Sequence, residues 1–290
     1  MECGHLQMSR SVFVSVGVRL GVYSLFFACI LLVGRDFLVR LVAFHPSSGG
    51  LSAGQLQEYG FSRFFFQTSR GDSVEYLYSK SGDGPVVVYF HGNAGTISDR
   101  IEDLSRFANS GFSVVGAGYA GYGKSGGRVS RENLEKDAAT LIAHVHDSLG
   151  YSYECMILVG RSLGSVPVAQ LLTQNRYGGA ILITPLSSGK AYAKSLLPWP
   201  FYLLAGDVLA VADRVAQSTT PLMVIHGTED EVLPYAMGKE VYEGASQPKY
   251  FVEIIGGRHN TLQYDGGALF WDRIDSFLDS YPRCTASSFE

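Results

Sequence analysis

The chain has 290 residues, 46% of them hydrophobic and 34 of them glycine, enough to bury one large core without requiring a second domain. Its formal net charge of −4, with no basic patch interleaved with aromatics, argues against a nucleic-acid partner. The four cysteines, Cys3, Cys29, Cys155 and Cys284, lack the spacing of a metal site or of a disulfide framework, so no metal cofactor is implied, and only a single Cys155–Cys284 bridge is left open.

After a short tail (residues 1–11), the segment from Val12 to Gly34, VFVSVGVRLGVYSLFFACILLVG, holds 23 residues with one charge, Arg19. As a helix it would extend about 34 Å, the span of a bilayer core. Arg19 lies toward its N-terminal end, where a long side chain reaches the interface. No small-x-small cleavage site follows the apolar run, so an uncleaved membrane anchor is expected rather than a signal peptide. Orientation is not legible, because Arg10 on one side is matched by Arg35 and Arg40 on the other. Cys3 is either an acylation site or an ordinary free thiol. Residues 35–60 read as a linker.

A domain then runs over residues 61–282, followed by a tail (283–290). Phe61–Thr68 and Ser73–Ser79 predict an antiparallel hairpin around Gly71. Continuous apolar runs follow at Val86–Phe90, Ser113–Ala117, Met156–Gly160, Ala180–Thr184, Pro221–His226 and Tyr250–Ile255. Helical patterns separate most of them, at Arg100–Asn109, Asn133–Leu149 with Ser130 as N-cap, Leu163–Gln174, Tyr235–Gly244 and Leu269–Tyr281. Unbroken apolar strands are what a parallel sheet covered on both faces requires. The expected architecture is α/β: an open, mostly parallel sheet with an antiparallel start, its ligand site beyond the carboxyl ends of the strands.

The segments after the strands are HGNAG (His91–Gly95), GYAGYGKSGG (Gly118–Gly127), GRSLG (Gly160–Gly164), TPLSSG (Thr184–Gly189), HGTEDEVLP (His226–Pro234) and GGRHN (Gly256–Asn260). GRSLG is G-x-S-x-G between a predicted strand and a predicted helix. That turn is tight enough to forbid side chains at Gly160 and Gly164 and to push Ser162 into a strained, exposed position. A serine hydroxyl is a weak nucleophile at neutral pH, so it needs a base, and the base needs a carboxylate to orient it. Asp230 and His259 follow the last two strands in the order Ser, Asp, His. His226 is the lesser candidate for the base, and Glu229 and Glu231 read as solvated loop charges. The oxyanion of a tetrahedral intermediate would be met by the backbone N–H of Leu163 and by a donor in HGNAG, best assigned to Asn93. His91 is expected to shape that turn.

GYAGYGKSGG also fits the phosphate-loop pattern G-x-x-x-x-G-K-[ST]. Such a loop needs a helix starting at its Lys-Ser end, whereas Gly126 and Gly127 follow Ser125 and the next helical pattern begins near Ser130. No apolar strand ends in the aspartate that would hold magnesium, so no nucleotide is expected.

Taken together, HGNAG, GYAGYGKSGG, GRSLG, HGTEDEVLP and GGRHN resemble the α/β-hydrolase superfamily over roughly residues 61–281. Within it, the Bem46-like serine hydrolases and their relatives that remove palmitate from protein cysteines are the most similar. HGTEDEV, GKSGG followed by SRENL, and PLSSG carry that finer resemblance. The resemblance implies Ser162 as nucleophile, Asp230 as acid, His259 as base, Asn93 and Leu163 as oxyanion donors, and no cofactor. It makes GYAGYGKSGG the Y-x-G-Y-G-x-S turn of the family, with an incidental lysine. The palmitate-removing relatives carry a cluster of N-terminal cysteines, where this chain has Cys3 and an apparent spanning helix.

Residues 185–220, rich in bulky apolar residues and prolines, lie where the family places a cap. They would either cover the sheet as plain packing or roof the serine with an apolar, acyl-binding surface. Ser187 and Ser188 read as turn residues. The expected protein is a membrane-anchored serine hydrolase that cleaves an ester or thioester, with a lipid or a lipidated protein as the favoured acyl source. The alternatives are a hydrolase of small soluble esters or amides, and a non-catalytic, membrane-tethered binding protein of the same fold.

Overall fold

The computed structural model describes residues 44–81, 84–199, 202 and 209–280. The expected anchor at 12–34, both tails and part of the expected cap lie outside the described residues. Among the described residues no helix is long and apolar enough to cross a membrane.

The elements follow the predicted rhythm. Helix α1 (Ala53–Glu58) precedes the hairpin strands β1 (Ser62–Gln67) and β2 (Ser73–Ser79), and then come β3 (Val86–Phe90), α2 (Ile101–Asn109), β4 (Ser113–Ala117), α3 (Arg131–Asp147), β5 (Met156–Arg161) and α4 (Ser165–Leu172). The second half is β6 (Gly179–Ile183), α5 (Gly189–Leu196), α6 (Val211–Val215), β7 (Leu222–Gly227), α7 (Tyr235–Gly244), β8 (Lys249–Ile254), α8 (Leu262–Asp265) and α9 (Gly267–Asp279). These strands form one eight-stranded sheet in the order β8-β7-β6-β5-β3-β4-β2-β1. The β1–β2 and β2–β4 pairs are antiparallel and every other pair is parallel.

Both faces of the central strands are buried, which explains their unbroken apolar sequence. On one face Val87, Tyr89, Ile157, Val159, Ile181, Ile183 and Ile225 join Leu104 and Phe107 of α2 and Phe270, Ile274 and Phe277 of α9 in a single core. The alternate residues, Val86, Val88, Leu158, Leu182 and Val224, are as deeply buried. On their side α4 packs on β5, α7 packs on β7, and α3, α4, α6 and α7 pack side by side.

Strand β3 connects to β4 on one side, and the chain then returns to place β5 on the other. Phe90 consequently pairs with Gly160, and the segments leaving β3 and β5 diverge next to each other, the crevice that binds ligands in such sheets.

The stretch expected to be a plain linker is built into the body. Leu56 of α1 is fully buried, and Ser52 caps the helix by a reciprocal capping box with Gln55. Upstream, His45–Pro46 pairs in parallel with Ala94–Gly95, and the Gly123 N–H donates to Ser47 O at 2.8 Å.

The GYAGYGKSGG turn wraps around a carboxylate. Glu75 is 1% exposed, pairs with Arg63 Nε at 2.8 Å and accepts the backbone N–H of Lys124 at 2.9 Å. The turn's N–H is thus directed at an internal carboxylate, Lys124 is exposed, and no helix begins until Arg131. A Cβ at Gly123, whose φ is +59°, would fall 1.9 Å from Glu75 Oε1, and one at Gly118 would fall 2.5 Å from Glu75 O. Removing the carboxylate with Glu75→Ala leaves Arg63 as a buried cation and Lys124 N–H without its acceptor. The expected loss of stability is about 3 to 5 kcal/mol. Urea unfolding of the two proteins measures it; an unchanged midpoint contradicts this role for Glu75.

Candidate active site

Strand β5 ends in a turn whose dimensions are set by two glycines. A Cβ at Gly160 would lie 2.6 Å from Gly164 O, and one at Gly164 would lie 2.1 Å from Phe90 O. The turn therefore presses directly on the end of β3. Between these glycines Ser162 takes φ +52°, a region that non-glycine residues occupy at a cost of roughly 1 to 3 kcal/mol. A single turn of 3-10 helix (Ser162–Gly164) leads into α4, and Ser165 Oγ donates to Ser162 O at 2.7 Å. The side chain of Ser162 stays partly exposed at the end of the sheet.

The loops after β7 and β8 deliver the other two residues. His259 Nε2 lies 3.1 Å from Ser162 Oγ, and His259 Nδ1 lies 2.8 Å from Asp230 Oδ2. A carboxylate only accepts, so it fixes the hydrogen on Nδ1 and leaves Nε2 as acceptor for the serine hydroxyl. Asp230 is completely buried and meets two further kinds of donor. Its Oδ1 accepts the N–H of Val232 at 2.9 Å and of Leu233 at 2.7 Å, and its Oδ2 lies 3.3 Å from His226 Nε2. Burial opposes the charge on Asp230, but hydrogen bonds from His226 and His259 outweigh it and hold its pKa well below the usual carboxylate range.

His226 is thus a partner of the acid. Its Nε2 also faces Leu233 O at 3.0 Å, so it carries its hydrogen there, toward two acceptors. Among the histidines weighed as base, His259 is the one in reach of Ser162.

The two loops are sewn together. Glu229 N–H donates to Gly257 O at 3.1 Å, Gly256 N–H to Thr228 Oγ1 at 2.9 Å, and His259 N–H to the carboxylate of Glu231 at 3.2 Å. Glu231, expected to be a plain solvated charge, therefore clasps the histidine loop. So does Arg161, the residue before the nucleophile. It is 7% exposed, its Nη2 donates to His259 O at 3.3 Å and Asn260 O at 3.2 Å, and its Nη1 meets Asp103 at 3.4 Å. A charged residue ending an otherwise apolar buried strand was the sequence signal for this role.

HGNAG leaves β3 beside the serine, with a Cβ at Gly92 falling 3.6 Å from Ser162 Cβ. His91 shapes the turn as expected: its Nδ1 donates to Gly92 O at 2.7 Å, its carbonyl accepts from Tyr119 Oη at 2.7 Å, and its ring stacks on Tyr119 at 4.2 Å. The Asn93 side chain is occupied on both sides. Its Oδ1 accepts from His45 N–H at 2.7 Å and from Tyr122 Oη at 3.3 Å, and its Nδ2 lies 2.7 Å from His45 Nδ1. Asn93 and Leu163 both line the cavity, where the expected oxyanion donors would be their main-chain N–H groups.

Gly92, Asn93, Ser162, Leu163 and His259 line one cavity of about 240 Å³, closed by the aliphatic side chains of Leu186, Leu209, Val232 and Leu233 and by Tyr192. Residues 185–220 therefore do both things considered for them: Leu186, Tyr192 and Leu209 face the serine, whereas α6 packs in the helical layer between α4 and α7. Ser188 is a helix N-cap, accepting from Ala191 N–H at 3.1 Å, and Ser187 is fully buried away from the cavity wall. Cys155, at the start of β5, is disulfide-bonded.

The same fold recurs in known proteins. An esterase from Pyrococcus furiosus superposes with a TM-score of 0.66 over 83% of this chain and 99% of its own, at 16% identity. The family described as serine aminopeptidase, S33 matches residues 84–211. The α/β-hydrolase domain-containing protein 17B of Xenopus tropicalis is 28% identical over 220 residues, 74% of each chain. The chain has the α/β-hydrolase fold. Human α/β-hydrolase domain-containing protein 17B matches at 27% identity over 74% of each chain. The esterase RhEst1 of a Rhodococcus shares this fold with a TM-score of 0.60 at 17% identity, over 76% of this chain and 99% of its own. The matching family and these relatives are hydrolases by name, on the fold that this chain shares.

The histidine at the start of the oxyanion loop carries a pH signature. Burial lowers the His91 pKa from its ordinary 6.5 to about 3. Between these values the unfolded chain binds a proton that the folded one does not, so this contribution to stability is complete above pH 6.5 and is lost as pH falls toward 3. The full loss amounts to roughly 5 kcal/mol. Urea midpoints measured from pH 7 to pH 4 are expected to fall, and to fall less in His91→Gln; equal slopes for the two proteins contradict this.

Proposed function

We propose that this protein cleaves a carboxylic ester or thioester through an acyl-enzyme on Ser162, with His259 as general base and acid, and Asp230 as the group that orients and stabilises the imidazole. The observation that carries the reading is the single imidazole standing 3.1 Å from a serine hydroxyl and 2.8 Å from a buried carboxylate, with the serine held at φ +52°.

The reaction follows from those positions. Nε2 takes the Ser162 proton as Oγ bonds to the substrate carbonyl carbon, and Asp230, already ionised, stabilises the imidazolium without accepting a proton. The carbonyl oxygen gains the negative charge and is met by the N–H groups of Leu163 and Asn93, donors that need no reorganisation as the charge develops. When the tetrahedral centre collapses, the C–O or C–S bond breaks and His259 protonates the departing alcohol or thiol. Water then attacks the acyl-enzyme, delivers its proton to His259, and releases the acid as that proton returns to Ser162.

The substrate proposed is an acyl group carried by a lipid or by a protein cysteine. The aliphatic wall of Leu163, Leu186, Leu209, Val232 and Leu233 around Ser162 supports an apolar acyl half. The apolar segment 12–34 supports a single-pass anchor that keeps this site near a bilayer, on a side that the reading leaves undefined.

A fluorescent fluorophosphonate applied to isolated membranes tests the reading. Wild type and Lys124→Ala are expected to label and Ser162→Ala is not; Asp230→Asn is expected to label slowly, by a factor of up to about 10⁴. Folded wild type that resists the probe contradicts the proposal and favours a tethered, non-catalytic protein of this fold.

A further inference from the structure

The cavity around Ser162 has an unusual charge balance. Its wall carries two guanidinium groups, Arg100 and Arg161, and no aspartate or glutamate, in a chain whose net charge is −4. The two arginines are not equivalent. Arg161 is compensated, since it meets Asp103 and two main-chain carbonyls.

Arg100 is not compensated. Its Nη2 donates to one neutral acceptor, Ala94 O, at 3.1 Å, and no carboxylate lies within ion-pair distance of it among the described residues. Its Nε is buried and has no hydrogen-bond partner.

The group is also held in place. Arg100 closes the 3-10 turn Ile97–Arg100, whose start is fixed by Thr96 N–H donating to Asp99 Oδ2 at 2.7 Å. Its acceptor Ala94 directly follows Asn93, one of the two proposed oxyanion donors. The guanidinium is thereby tied to the loop that would meet the reacting carbonyl, and, as a partly exposed residue of the cavity wall, Arg100 has Nη–H groups that can meet a carboxylate, sulfonate or phosphate.

We infer that Arg100 is a specificity residue that selects substrates with a negative charge on the leaving group, close to the scissile ester or thioester. This rests on the acyl-enzyme reading of Ser162. The charge belongs to the leaving group because the aliphatic part of the wall, Leu163, Leu186, Leu209, Val232 and Leu233, suits an uncharged acyl half. The shared chemistry is an anion a few bonds from the scissile bond, whether carboxylate or an oxyanion of sulfur or phosphorus.

A set of octanoyl thioesters with one acyl group and different thiols separates the possibilities, with thiol release followed by a chromogenic disulfide. The thiols are 2-mercaptoethanol (neutral), thiocholine (cationic), 3-mercaptopropionate (carboxylate) and 2-mercaptoethanesulfonate (sulfonate). Wild type is expected to show kcat/KM about tenfold higher for the anionic thioesters than for the neutral one, with the cationic one lowest. Arg100→Gln is expected to bring the anionic-to-neutral ratio to about one, and Arg100→Lys to keep part of it. Comparison of the two anionic arms assigns the preferred anion. Ser162-dependent hydrolysis with no preference by charge overturns the inference alone. An equal loss on all four thioesters in Arg100→Gln also overturns it, by making Arg100 a support of the Ala94 loop. No Ser162-dependent hydrolysis of any thioester overturns the acyl-enzyme reading instead.

Discussion

The close approach of two main chains at the carboxyl edge of the sheet is the constraint on which the rest of the site depends. Gly164 lies so near Phe90 O, and Gly160 so near Gly164 O, that neither position has room for a methyl group. Because β3 and β5 are hydrogen-bonded neighbours, this contact brings the turn after β5 against the loop after β3. Ser162, the proposed nucleophile, and both proposed oxyanion donors are consequently set by one backbone crossing. The positive φ of Ser162 is a local cost, and the surrounding core, continuous across α2, α9 and the central strands, is what sustains it.

Around that crossing, polar groups are buried only where partners meet them. The Asp230 side chain has no exposed surface, yet two main-chain N–H groups and two histidines converge on its carboxylate, and these interactions keep it ionised. Glu75 plays a comparable part beneath the GYAGYGKSGG turn, held by Arg63 and by Lys124 N–H. Arg161 joins the nucleophile turn to the histidine loop, and Glu231 joins the acid loop to the same histidine. The three catalytic segments come from distant parts of the chain, so such ties supply the register that chain connectivity cannot.

Much of this was legible in the sequence because it obeys local rules. Apolar runs bounded by glycine marked the strands to within a residue or two, and Ser130 was the expected cap of α3, accepting from Asn133 N–H. The triad candidates were legible because each follows a strand, and the open sheet brings strand ends together. The phosphate-loop pattern was set aside on Gly126 and Gly127, and only the structure shows that Glu75 occupies the centre of the turn. What escaped was long-range. The grip of Arg161 on residues 98 and 99 positions later and the pairing of His45 with Asn93 arise from packing that no periodicity reports. Helix α1 escaped as well, since six residues between glycines give too short a pattern, and its one buried side chain, Leu56, reveals itself only against the hairpin.

The account stands most directly on covalent chemistry at Ser162. Rapid quenching of the enzyme with a long-chain acyl thioester, followed by intact-protein and peptide mass spectrometry, reads that chemistry without a probe. The account predicts a transient gain of one acyl group, located on Ser162 and absent from Ser162→Ala. Turnover with no adduct that persists in Ser162→Ala, or an adduct on a different residue, would contradict it.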